Sequence, residues 1–247
     1  MAAKLSLAEL SSRVPKLHQG RSITWAIHSR LAAFLDEQVA PDFVTLETGS
    51  GYSTLVILRK GGLRHIAIAP DADEFRAIRE FCASNEIPTG SLEAVAAPSQ
   101  EWLPGAQLPA LNLVLVDGDH AFPIPFIDWY YTADKLVLGG FMIVDDIQLV
   151  TGRLLADFME ADPNWERVLY EEGRFAVFRK LKHPVHGPGW WTQPYVVDSN
   201  PVHHIHVART VPPGPVSKKT RLAAVYARLP HGAQALYRRL RSVLRKG

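Results

Sequence analysis

The stretch Val44-Thr45-Leu46-Glu47-Thr48-Gly49-Ser50-Gly51-Tyr52-Ser53-Thr54-Leu55 constrains the chain most, because an apolar strand runs there into a glycine-bearing turn and then into an apolar-periodic helix. Glycines allow backbone angles and a closeness of ligand approach that a Cβ forbids, and the helix after them aims free N–H groups at the turn. Such a corner opens the nucleotide site of many α/β sheets, although short glycine patterns also occur in ordinary strand-turn-helix corners. Glu47 adds information. A carboxylate at a strand end repels phosphate groups and suits a cationic or hydroxyl-bearing ligand.

The rest of the chain supplies further strands and helices in alternation. Arg64–Ala69, Leu92–Val95, Leu111–Val116 and Phe141–Val144 read as strands, with helices over Thr54–Lys60, Ala72–Asn85, Pro125–Leu136 and Ile147–Ala161. Leu111–Val116 is apolar throughout, as a central parallel strand buried on both faces must be. Trp165–Tyr170 and Phe175–Leu181, joined by Glu171-Glu172-Gly173, form an antiparallel hairpin. Residues 5–40 read as helical, with Trp25, Ile27, His28, Leu31, Phe34 and Leu35 along one stripe before Pro41. We place His28 beside that stripe as a packed or half-exposed side chain.

These elements give a three-part organisation: an N-terminal helical cover (1–40), an α/β body (41–181) and an extension (182–247). Within the extension, 182–217 is rich in proline and histidine, and His203, His204 and His206 lack the carboxylate or thiolate spacing of a metal site. Two basic amphipathic helices are expected after it, one carrying Leu222, Val225, Tyr226 and Leu229 and the other Leu236, Tyr237, Leu240, Val243 and Leu244. Arg209–Gly247 holds ten Lys or Arg and no acid, so the net charge of +2 hides an acidic body and a basic tail. Such a tail suits packing on the protein's own acidic body or an anionic membrane surface, nucleic acid less well, and a homo-oligomer stays open. No stretch approaches the roughly 18 apolar residues of a membrane span, and the first residues lack a signal-peptide core. With one cysteine, Cys82, no intrachain disulfide forms, so a cytoplasmic setting is expected.

Chemistry concentrates at strand ends. Asp117-Gly118-Asp119-His120 follows the fourth strand and Asp145-Asp146 the fifth. Ligands of open α/β sheets bind at that edge, although a single Asp there often caps the next helix.

Residues 41–181 resemble a class I S-adenosylmethionine-dependent methyltransferase. Glu47-Thr48-Gly49-Ser50-Gly51 is similar to that family's first motif, and Ala97-Pro98-Ser99-Gln100-Glu101 resembles the segment that lies against adenine in catechol-type O-methyltransferases. Asp117, Asp145 and Asp146 match the metal-holding acids of the metal-dependent members, and His120 stands where the macrolide-sugar type carries its catalytic base. The resemblance implies a Rossmann-like fold, a mostly parallel seven-stranded sheet closed by an antiparallel hairpin with helices on both faces. It implies S-adenosylmethionine held by Glu47, Gly49, Ser50, Gly51, Ser53, Asp71, Ser99, Gln100 and Asp117. It also implies Mg²⁺ on Asp117, Asp145 and Asp146, and methyl transfer to the hydroxyl of a small acceptor, a sugar or a phenol, with His120 as base. The family's ribose-binding acid has no equivalent at Ala67 or Ala69, so either Asp71 substitutes for it or the hydroxyls are held otherwise. A carboxylate set favours Mg²⁺, which lowers a hydroxyl pKa. The alternative is a binding protein that keeps the body, has lost catalysis and docks through its tail.

The charge asymmetry generates one test. Vesicles containing anionic lipid should retain the full chain at low salt and release it as ionic strength rises, whereas removal of 215–247 should abolish retention and spare cofactor binding.

Overall fold

A computed structural model describes residues 5–14, 26–183, 185–187 and 189–199. By its contacts the chain divides into Met1–Val197 and Asp198–Gly247, and the fold described is that of the first unit. Trp25, the histidines at 203, 204 and 206 and the two basic amphipathic helices lie outside the described residues. No helix among the described residues is long and apolar enough to cross a membrane.

Seven strands form one sheet: β1 Val44–Thr48, β2 Arg64–Ala69, β3 Leu92–Ala96, β4 Leu111–Val116, β5 Leu136–Val144, β6 Trp165–Glu171 and β7 Phe175–Lys180. Their order is β3-β2-β1-β4-β5-β7-β6, with β1 to β5 parallel and β7 antiparallel to both β5 and β6. The Rossmann-like sheet and its closing hairpin are therefore present as expected. The order reverses between β1 and β4, which places the ligand-binding crevice at their carboxyl ends.

Two apolar layers cover the sheet, and the period of two along each strand decides which side chain joins which. Leu113, Leu115, Ala67, Ala69, Ile143 and Val177 face one layer, with α2 (Ser29–Gln38), α3 (Tyr52–Leu58) and α4 (Ala72–Ser84). Leu46, Ile66, Ile68, Val114, Val116, Met142 and Val144 face the other, with α6 (Ile124–Thr132) and α7 (Val150–Ala161). Cys82 is a buried thiol in the first layer, its pKa pushed up to about 11 by burial.

The N-terminal cover differs from one long helix. Leu7–Arg13, α1, is closed by a reciprocal Ser6/Glu9 cap, and α2 starts at Ser29 because His28 turns its Nδ1 to accept the Arg30 amide at 3.3 Å. Arg59, after α3, fastens both helices, donating to Leu5 O at 2.6 Å and pairing with Asp36. Two further boundaries shift. Helix α6 stops at Thr132, and β5 starts at Leu136 rather than Phe141, running through Gly139-Gly140 with a register shift against β4. Ser99–Trp102, unassigned from sequence, forms a short helix, α5.

Beyond β7 the chain stays on the body. Val185 is buried, its N–H donates to Asp134 Oδ1 at 2.8 Å, and His186 stacks on Tyr130. The segment after β7 thus packs on the body at 185–186, while Trp191 is exposed.

Lys180 is fully buried at the end of β7, and its Nζ donates to Ala133 O and Leu136 O, each at 2.7 Å. It closes the α6–β5 connection. Burial pulls its pKa down to about 8, with the Asp134 carboxylate opposing. Since an unfolded lysine keeps its proton to about 10.4, the unfolded state binds more protons between these values and stability rises with pH across that window. Urea unfolding from pH 8 to 10.5 should show this rise in the wild type and not in Lys180→Met. The variant should also be less stable at pH 7 by about 1–3 kcal/mol, for the two carbonyls left without a donor.

Candidate active site

A cavity of about 990 Å³ opens along the carboxyl ends of the strands. Each strand end contributes to its wall: Gly49 and Ser50 after β1, Ala69-Pro70-Asp71 after β2, Pro98-Ser99-Gln100 after β3, Asp117 to Ala121 after β4, and Asp145 and Asp146 after β5. Of the residues expected at the cofactor, Gly49, Ser50, Asp71, Ser99, Gln100 and Asp117 are brought together here. Glu47, Gly51 and Ser53 are not in the wall.

Glu47 is the instructive departure. Strand alternation turns its side chain sideways from β1 into the layer beneath α3, on the side of Leu113 and Leu115. There it is 1% exposed, accepts the Thr54 hydroxyl and lies 3.0 Å from His65 Nε2, while His65 Nδ1 is 2.8 Å from Thr45 Oγ1. Thr54 Oγ1 in turn accepts the Gly51 amide at 2.9 Å. Glu47 therefore holds the shape of the glycine turn from within the layer, away from the cavity wall. Gly51 and Ser53 belong to the same support, at the N-cap and in the buried first turn of α3.

The glycine that faces the crevice is Gly49. Its backbone has φ +100°, its N–H donates to Ile68 O at 2.7 Å, and a Cβ built on it would lie 2.4 Å from the carbonyl oxygen of Asp117. Only glycine lets the β1 and β4 turns approach this closely. Ser50 donates to Glu74 Oε2 at 2.9 Å, and Asp71 caps α4 by accepting the Asp73 amide at 2.8 Å. Glu74, also in the wall, was not singled out from sequence, because only its place in the first turn of α4 brings it to the wall with Asp71. Asp71 and Glu74 are the carboxylates available at the position of the missing ribose acid.

At the other end of the cavity the acids crowd. Asp117, His120 and Asp146 each offer a ligand atom within 4.8 Å of the others. His120 Nε2 is 3.0 Å from Asp146 Oδ2, a contact that raises the imidazole pKa and lowers that of Asp146. The backbone of Asp146 is left-handed (φ 49°), a conformation Asp tolerates better than most residues. Burial, and then the charges of Asp145 and Asp146, push the Asp117 carboxyl well above its ordinary range. Asp145 is almost buried, with a pKa raised to about 6 by desolvation, and its Oδ1 accepts the Asp146 amide at 2.9 Å. His120 thus joins Asp117 and Asp146 within this spacing, and Asp145 adjoins the group through its contact with the Asp146 amide. Asp119 folds back on its own turn, accepting the Ala121 amide at 2.9 Å. Arg174, on the β6–β7 turn, also lines this end and favours the ionised forms of Asp117, Asp145 and Asp146. Nothing in its local sequence marks it, because the hairpin brings it in.

Residues 46–147 match a family model described as a methyltransferase domain. Among solved structures, the O-methyltransferase TomG from Streptomyces achromogenes, in complex with S-adenosylmethionine, is 14% identical with a TM-score of 0.56, covering 70% of this chain and 90% of its own. An O-methyltransferase from Bacillus cereus in complex with S-adenosylhomocysteine is also 14% identical, with a TM-score of 0.52 over 71% of this chain and 90% of its own. No curated protein matches the chain in sequence. At such identities the solved structures bear on the fold, and the family model covers the strand ends from the glycine turn through Asp145 and Asp146. The chain therefore has a Rossmann-like fold in which the stretch 46–147 is similar to a methyltransferase domain.

Proposed function

We propose that the enzyme transfers the methyl group to a hydroxyl of a small acceptor, a sugar or a phenol, with His120 as the proton acceptor. The observation that carries this reading is the 3.0 Å contact between His120 Nε2 and Asp146 Oδ2 in the wall of the cavity, beside Asp117. An imidazole titrates near neutrality, and a carboxylate next to it orients the ring and stabilises its cation.

The wall supports a division of labour. Cofactor holding falls to Gly49, Ser50, Asp71 or Glu74, Ser99 and Gln100, on the β1 to β3 side, and acceptor holding to the β4 to β5 side, where Leu149 offers apolar surface. Gly49, whose Cβ position is taken by the Asp117 carbonyl, keeps the two turns together beside the cavity. When bound, S-adenosylmethionine supplies the electrophilic methyl carbon. The chain's own residues align the acceptor oxygen with that carbon and take its proton as the new O–C bond forms.

The acid cluster also fits a hard divalent cation. Carboxylates in this number and proximity repel one another unless a cation or a proton intervenes, and Asp117, with Asp145 and Asp146, would hold Mg²⁺ here. Bound there, the ion would acidify the acceptor hydroxyl. His120 Nε2 cannot serve as ligand and base together, so a chelator separates the two arrangements.

Two expectations follow from this site. Gly49→Ala should weaken S-adenosylhomocysteine binding by about 10-fold or more in calorimetry, since a left-handed Ala costs roughly 1–3 kcal/mol and its Cβ meets the Asp117 carbonyl. His120→Ala should bind the cofactor product normally and lose roughly 10²–10⁴-fold in turnover of labelled methyl groups, the range for a general base. Loss of activity in excess chelator with recovery on adding Mg²⁺ supports the metal arrangement. Full activity in chelator, with His120→Ala impaired, leaves His120 as the base of a metal-free enzyme.

A further inference from the structure

Asp128 has no part in the chemistry described so far. It lies in α6, is fully buried, and neither carboxylate oxygen makes a well-formed hydrogen bond. Such a group is costly inside a protein and calls for an explanation. Two hydroxyls face it, those of Ser99 and Thr48. Thr48 Oγ1 is already an acceptor, for the Asp117 amide at 3.4 Å, so its own proton is free to turn toward Asp128. Ser99 begins α5 and lines the cavity on the β3 side. The carboxylate therefore sits behind the wall, between the end of β1 and the segment after β3.

We propose that Asp128 is a positioning residue that draws the Ser99 hydroxyl proton backward, so that Ser99 presents its oxygen lone pairs to the cavity and selects a nucleoside whose base carries an amino group. This rests on the cofactor reading given above and adds a polarity to one point of that site. A hydroxyl is donor and acceptor at once, and its direction is set by its stronger partner. An ionised carboxylate is acceptor only, so any hydroxyl bound to it must donate. The cavity side of Ser99 is then left as an acceptor, suited to the exocyclic amine of adenine and opposed to the carbonyl oxygen that hypoxanthine carries at the same position. Burial raises the Asp128 pKa to about 6, the two hydroxyls opposing, which leaves the carboxylate ionised at pH 8.

The test compares S-adenosylhomocysteine with S-inosylhomocysteine, which differ at that base position, by calorimetry at pH 8. The wild type should prefer the adenosyl compound by about 10- to 100-fold, the effect of exchanging one well-made hydrogen bond for an unpaired acceptor. In Asp128→Asn the new amide donates to Ser99 Oγ and releases the hydroxyl proton to the cavity, so the preference should shrink to about 3-fold or less. Ser99→Ala should shrink it to the same extent, and the double variant should add nothing, because both changes remove one device. Asp128→Leu, which removes the acceptor and suits a buried site, should also narrow the preference if Asp128→Asn fails to fold. A purely structural role for Asp128 would lower thermal stability or weaken both compounds equally. An unchanged ratio in a folded Asp128→Asn or Asp128→Leu protein, or a wild-type ratio near one, overturns the proposal. A wild type that binds neither compound overturns the cofactor reading itself.

Discussion

The buried carboxylate of Glu47 is the interaction on which the site depends. One side chain joins three elements: β1, which carries it, α3 through Thr54, and β2 through His65. Because Thr54 Oγ1 also receives the Gly51 amide, the same hydrogen bonds fix the turn between strand and helix. The turn then presents Gly49 to the crevice and lets it touch the β4 loop. Buried polar networks of this kind add little net stability, yet they are expensive to break, since removal of one partner strands the others without water. That asymmetry makes Glu47 a determinant of shape.

A second constraint works in the opposite sense. Asp117, Asp145 and Asp146 meet at adjacent strand ends because parallel strands in register deliver their termini to one edge. Their charges oppose one another, and desolvation adds to the effect for Asp117 and Asp145. Among the described residues the wall offers His120 and Arg174 as compensating groups. His120 reaches Asp146 directly, whereas Arg174 acts over a longer range on all three acids. The edge is thus held at a potential that welcomes positive charge, and a sulfonium cofactor and a divalent ion both share that sign.

How much of this the sequence disclosed follows from which interactions are local. The uninterrupted apolar run Leu111–Val116 announces a strand covered on both faces, and the acids that follow β4 and β5 are visible as strand-end residues whatever the detail of packing. Glu47 misleads because its place at the end of an apolar run resembles that of Asp117, while it is one residue short of the edge and its alternation turns it into the layer. The start of β5 is hidden for another reason. Leu136-Val137-Leu138-Gly139-Gly140 has no strand pattern of its own, and its ladder comes from β4 and from the Lys180 clasp at the α6–β5 junction. Glu74, Asp128 and Arg174 reach the site from a helix flank, from behind the wall and from a hairpin tip, positions that only tertiary structure defines.

The reversal of strand order between β1 and β4 gives these parts a common mechanical frame. β1 and β3 are followed by small or hydroxyl-bearing residues, Gly49, Ser50 and Ser99, and β2 by the α4 cap Asp71, while β4 and β5 are followed by the crowded ionisable group. The two sets meet where Gly49 lies against the carbonyl of Asp117 and Gly118 packs on Thr48. Where Gly49 meets Asp117 no side chain intervenes, so the backbone of the β1 turn and the backbone of the β4 turn are in direct contact. In-line methyl transfer demands alignment of donor carbon and acceptor oxygen to a fraction of an ångström. A seam of bare backbone is the stiffest way to relate the two sides, since backbone contacts have no rotamers through which an error in one turn could be absorbed before it reaches the other.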